Sequence, residues 1–216
     1  MQSDSPAPPY VPMPHGSSRQ PRNETEQRII DAAHAVMTAH GLAGATTKRI
    51  AKQAGVAEGS IYRYFERKED LFLEVLWRIP SDFVRLMAQL PQRVNVASVR
   101  GTLTEIAIEA LLYFSEVISL GASVFAEPAL RREYAGSMRE RGIGPHMPNQ
   151  SLTKYIQAEI DSGRISDKVD PAGMSYALLG ACFQRAYQSA FFDGTFTDVE
   201  RHEIATGIVT ALALPE

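Results

Sequence analysis

The sequence predicts an all-α fold in two helical parts. Apolar residues recur every three or four positions from about residue 25 to residue 213, and no stretch alternates convincingly as a half-buried strand would. Helix-start signals punctuate that pattern at Asn23, at Asp170-Pro171 and at Thr197 to Glu200. Between Thr46 and Phe65 the chain reads TTKRIAKQAGVAEGSIYRYF, two short helical patterns joined at Ala54-Gly55-Val56. A tight two-helix corner whose polar side is rich in Lys, Arg, Ser and Tyr is the layout of a helix-turn-helix.

Residues 1 to 22 hold six of the thirteen prolines and few apolar groups, so they are expected to form a disordered arm. A helix is expected from Thr25 to Gly41. Ile29, Ile30, Ala33, Val36 and Met37 form its inner stripe, Asn23 caps its start with Glu26 completing an approximate capping box, and Gly41 closes it. The next helix buries Ile50, Ala51 and Ala54, and Gly55 suits the left-handed backbone that ends it. The second helix of the corner turns Val56, Ile61 and Phe65 inward. Glu66 to Asp70 opens a longer helix carrying Leu71, Phe72, Val75 and Leu76.

From Ile79-Pro80, a breaking point, the pattern stays helical. Ser81 to Leu90 is a short amphipathic piece, and Ser98 to Leu120 a long helix with Leu103, Ile106, Ala107, Ala110, Leu111, Phe114 and Ile118 inward. Residues 121 to 141 hold a further helix interrupted near Pro128, and Gly142 to Pro148 is a loop. Asn149 to Asp161 is a helix ending at Gly163, and Asp170-Pro171 opens another that runs to about Phe192. Thr197 to Glu200 forms a capping box for the last helix, whose stripe is Ile204, Ile208, Val209 and Leu212.

The net charge of −3 argues mildly against a nucleic-acid partner, but its distribution argues for one. Residues 41 to 68 hold six basic and two acidic groups, a net of +4, whereas residues 71 to 216 hold thirteen basic and seventeen acidic groups, a net of −4. The single cysteine, Cys182, excludes an internal disulfide and a multi-cysteine zinc site, and a reducing cytoplasm fits. No run approaches eighteen consecutive apolar residues, so no membrane span is expected. The five histidines show no ligand spacing, and there is no nucleophile elbow or phosphate-binding glycine loop, so neither enzyme, metal nor cofactor is expected.

The stretch IIDAAHAVMTAHGLAGATTKRIAKQAGVAEGSIYRYFERKEDLFLEVL resembles the N-terminal domain of the tetracycline-repressor (TetR) family of bacterial transcription regulators. Ile30, Ala33, Gly41, Thr46, Thr47, Ile50, Ala51, Ala54, Gly55, Val56, Gly59, Ile61, Tyr62, Tyr64, Phe65, Lys68 and Leu71 are among the matching positions. Met37 stands where the family usually has Phe. Ala57 stands where it usually has Ser or Thr at the recognition-helix N-cap, and alanine cannot accept from free N–H groups there.

The resemblance implies a helix-turn-helix DNA-binding domain over residues 23–70 and a helical ligand-binding and dimerisation domain over 71–216. It also implies a repressor that binds a palindromic operator as a homodimer and is released by a small molecule. Thr47, Lys48, Tyr62, Tyr64 and Lys68 would hold phosphates by resemblance; for Tyr62 the alternative is packing against the first helix. Base edges would fall to Glu58, Gly59, Ser60 and Arg63, the arginine to guanine and the glutamate to cytosine. An apolar or amphipathic effector would meet Trp77, Met87, Phe114, Phe125, Met174 and Tyr187, each of which also reads as plain core. The last two helices, residues 170 to 213, would form the dimer interface, since Gly173, Ala177, Gly180, Ala181 and Ala186 permit close helix approach. A second reading is a helical protein-interaction module whose basic face serves an acidic protein partner.

Overall fold

The computed structural model describes residues 23–77, 82–192 and 194–212. Ten helices and no strand occur among them: α1 (Glu24–Gly44), α2 (Thr47–Ala54), α3 (Glu58–Ile61), α4 (Lys68–Trp77), α5 (Asp82–Arg93), α6 (Val99–Ala126), α7 (Pro128–Glu140), α8 (Met147–Asp161), α9 (Pro171–Phe191) and α10 (Asp198–Ala211). The expected arm at residues 1–22 and the break at Pro80 lie outside the described residues.

Several starts form as their residues dictate. The Asn23 side chain accepts from the Thr25 amide at 2.7 Å. Asp170 accepts from the amides of Ala172 and Gly173 ahead of a first-turn proline. Thr197 and Glu200 complete a reciprocal capping box, which satisfies two otherwise orphaned amides and holds the Glu200 carboxyl below its usual range.

Gly41 adopts φ 63° and ψ 175° and closes the first helical stretch as expected; a short second helical piece beyond this kink carries α1 on to Gly44. Two expectations are corrected. Pro128 does not interrupt a helix but opens α7 from its first turn, where its missing amide donor costs nothing. The second helix of the corner is a single turn, because the amides of Arg63 and Tyr64 bond three residues back and tighten the chain after Ile61.

Two apolar cores result. The first gathers Ile29, Ala33 and Met37 of α1, Ile50 of α2, Ile61, Phe65, and Leu71, Phe72 and Val75 of α4. Met37 is 1% exposed and packs within this core. Leu120 and Val124 at the end of α6 and Leu130 of α7 join this core, as do the α4 residues beyond position 70. The second core holds Phe83 and Met87 of α5, Leu103 to Leu111 of α6, Tyr155 and Ile156 of α8, Leu178 and Cys182 of α9, and Val209 of α10. Burial pushes the Cys182 thiol up to about 12, as befits a core group. Among the described residues only α6 is long and apolar enough to cross a membrane, but it packs against α1, α5, α9 and α10 and its inner face is the spine of the second core.

Candidate nucleic-acid interface

The corner between α2 and α3 is fixed from three sides. Gly55 adopts φ 66° and ψ 39°, the left-handed conformation that a β-carbon disfavours, and its amide returns to the carbonyls that end α2. Thr46 caps the other end of α2 by accepting from the Arg49 amide. Arg28 of α1 reaches across and donates to the Ala54 carbonyl at 2.8 Å. Its cation therefore meets the negative end of the α2 dipole and ties the corner to α1. Sequence periodicity gave no sign of Arg28, because its partner lies 26 residues away.

On the outer side of this corner Lys48, Lys52, Arg63 and Tyr62 are exposed. Tyr62 is 53% exposed, so about half of the side chain stays open to solvent. Tyr64 behaves differently: it is half-buried against the first core, and its hydroxyl accepts from the Asn23 side-chain amide at 3.0 Å. Lys68 is half-buried at the start of α4, its ammonium 4.9 Å from the centre of the Phe72 ring. Thr47 donates to Glu58 at 2.5 Å, so two residues expected to meet DNA separately meet each other. Ser60 is half-buried, and a β-carbon on Gly59 would meet nothing within 4 Å. The fold does not require glycine at 59, whereas a closely approaching partner would. Ala57 makes no side-chain cap bond, as its lack of an acceptor dictates.

The corner is also coupled to the second part of the chain. Arg67, just before α4, donates to Asp70 at 2.5 Å and to Glu133 of α7 at 2.6 Å. These bonds, Asp70 first, hold its guanidinium above its ordinary value. At the far end of α4, Trp77 lies 4.9 Å from the Tyr134 ring of α7, and Arg141 sits 4.5 Å above its face.

The six candidate pocket residues do not converge. Met87, Phe114 and Met174 belong to the second core, and Trp77 to the first. Phe125 and Tyr187 are 71% and 53% exposed. Surface grooves lie elsewhere, one beside Arg85, Arg93 and Glu109, another between Gly101 and His202, and none of the six lines either.

The C-terminal helices also divide differently from expectation. The α10 stripe is covered by its own domain: Val209 is 1% exposed, and Ile204, Ile208 and Leu212 are half-buried against the second core. The open apolar face is on α9, where Tyr176, Phe183, Tyr187 and Phe191 are 63%, 46%, 53% and 70% exposed. They share one side of the helix with Ala177 and Gly180, both exposed.

Residues 29–75 match the model of the bacterial regulatory proteins, tetR family. The nucleoid occlusion factor SlmA of Haemophilus ducreyi is 29% identical over 106 residues, 49% of this chain and 47% of that protein. The fatty acid metabolism regulator protein of Bacillus subtilis is 40% identical over 62 residues, 29% of this chain and 32% of its own length. The chain thus spans half or less of these two relatives. A solved structure of a protein described as a TetR-family transcriptional regulator from Mesorhizobium loti superposes with a TM-score of 0.65 at 21% identity, over 87% of this chain and 94% of that one, which shows the shared fold.

Proposed function

The chain belongs to the TetR family of bacterial transcription regulators, and from that premise we propose a ligand-responsive repressor that binds a palindromic operator as a homodimer in the cytoplasm. One observation carries the reading. A helix-turn-helix corner, locked by Gly55 and Arg28, presents Lys48, Lys52, Tyr62 and Arg63 to solvent on the basic part of an otherwise acidic chain.

In the proposed complex α3 enters the major groove. The α2 start at Thr47 and Lys48, with Tyr62 and Lys68, meets flanking phosphates, while Tyr64 holds α1 against the corner as well as approaching the backbone. Arg63 and Ser60 read base edges, and Gly59 lets the helix approach. The α9 face, with α10 behind it, pairs two copies so that two α3 turns meet the same side of the duplex. An apolar effector would enter between α5, α6 and α9, where Met87, Phe114 and Met174 lie in one core. It would act by shifting α4 through its Trp77 and Arg67 contacts with α7. The effect cannot exceed the ligand's differential affinity for the two states, and the ligand and the operator must weaken each other by one common factor.

Salt dependence tests the DNA contacts. Lys68→Ala in both subunits should reduce the slope of log affinity against log salt by about 1.8, since each released counterion contributes about 0.9. Affinity for every duplex should fall alike. An unchanged slope would remove Lys68 from the phosphate contacts, and a wild-type chain that binds no duplex at all would end the reading.

A further inference from the structure

We infer that Thr47 and Glu58 form a specificity gate. Thr47 holds the Glu58 carboxylate at the DNA-facing start of α3, where it penalises duplexes that offer only phosphate and accepts from a cytosine amino group where one is offered. The inference rests on the DNA-binding reading and deepens it, by adding one acidic group to the base reading of Arg63 and Ser60.

The hydrogen bond itself is the first ground. Thr47 Oγ1 donates to Glu58 Oε1 at 2.5 Å, the short range of a hydroxyl bonded to a charged carboxylate. Its partners are 11 residues apart, one at the start of α2 and the other at the start of α3. The bond therefore spans the corner and fixes a flexible side chain relative to both helices. It also commits the Thr47 proton. A phosphate approaching this hydroxyl meets lone pairs beside a carboxylate rather than a free donor.

The surroundings are the second ground. Glu58 is exposed on the same corner as Lys48, Lys52 and Arg63, so it places an acid on a face otherwise built to attract phosphate. Ala57 offers no cap bond at this helix start, and a β-carbon on Gly59 would meet nothing within 4 Å, so the backbone beside Glu58 is open to a partner. An acid there raises the free energy of every complex in which it finds only acceptors. That cost is offset where a base edge donates to the carboxylate. In the major groove the cytosine N4 amino group does so, whereas the adenine amino group lies beside the N7 acceptor. On such a site Glu58 turns to the base, and the Thr47 hydroxyl becomes free to donate its hydrogen bond to the neighbouring phosphate.

The test uses the full chain, a pool of random 40-base-pair duplexes and sonicated genomic DNA, with thermal melting as the check on folding. The wild type should enrich a sequence with cytosine at one fixed position of each half-site. Glu58→Gln keeps the side chain's shape but removes its charge. Because it can donate as well as accept, it should lose the cytosine preference. It should also bind genomic DNA about tenfold more tightly per dimer, the scale of two exposed charge pairs. Thr47→Val, which leaves the carboxylate in place but unheld, should weaken the cytosine preference, and Thr47→Ser should restore it. A Glu58→Gln chain that enriches the same sequence with the same ratio of specific to genomic affinity overturns the gate while leaving the DNA-binding reading intact. A wild type that enriches no sequence removes that reading, and the gate with it.

Discussion

The corner of α2 and α3 and the outer face of α9 are both exposed, but they are exposed in opposite ways. The corner buries its core residues, with Ile50 at 0% and Ile61 at 1% exposure, and turns Lys48, Lys52 and Arg63 outward. The α9 face leaves Phe191 at 70% and Tyr176 at 63% exposure while burying Leu178 and Cys182 behind them. A charged, finished surface suits a polyanion met through water and counterions. An unfinished aromatic surface suits a partner that excludes water and stays. The two faces thus divide the proposed work: one meets DNA reversibly, and the other pairs two copies of the chain.

The largest effect should come from spoiling the unfinished face. Tyr187→Asp places a charge at the centre of the α9 stripe, at a position that supports no core of its own. It should give a monomer by light scattering and lower operator affinity by about 10²–10⁴-fold, because the second half-site is no longer reached at high effective concentration. A dimer of unchanged mass would move the interface away from α9. Ile208→Asp is a poorer probe, since Ile208 is half-buried in its own domain.

Next in size is a lesion under the finished face. Ile50→Ala should cost about 2–5 kcal/mol by the usual measure of a truncated core residue. It should abolish DNA binding near the melting point of the first core and leave the dimer mass unaltered. A loss of dimer in that variant would show that the two regions are not separable.

The smallest effect should come from the α10 cap. Thr197→Ala removes a capping box from a helix buried in its own domain and should cost about 1 kcal/mol in thermal stability. Neither dimer mass nor sequence preference should change, and a change in either would return α10 to the interface.

What could be read from residues alone follows the same division. The corner and the helix starts were legible because each position has one local reason: Gly55 for a left-handed turn, Ile50 and Ile61 for one small core, Asn23 and Thr197 for the starts of α1 and α10. Bonds across the chain were not legible. Arg28 to Ala54, Thr47 to Glu58 and Arg67 to Glu133 join residues 26, 11 and 66 positions apart, and no periodicity marks them. The faces of α9 were ambiguous for another reason. The helix is apolar nearly all round, with Met174, Leu178 and Cys182 inside and Phe183 and Phe191 outside, so spacing could not choose the buried side. The candidate pocket residues divide for the same reason: large apolar side chains signal burial or an interface without saying which, so Met87, Phe114 and Met174 share one core while Phe125 and Tyr187 lie on the surface.

The symmetry of the sequence that the wild-type chain enriches from random duplexes tests both regions at once. A corner that reads bases and an α9 face that pairs two copies require an inverted repeat, with half-site centres one helical turn apart, about 34–36 Å, or a multiple of it. An enriched sequence without two-fold symmetry, or no enrichment over the starting pool, would contradict the account.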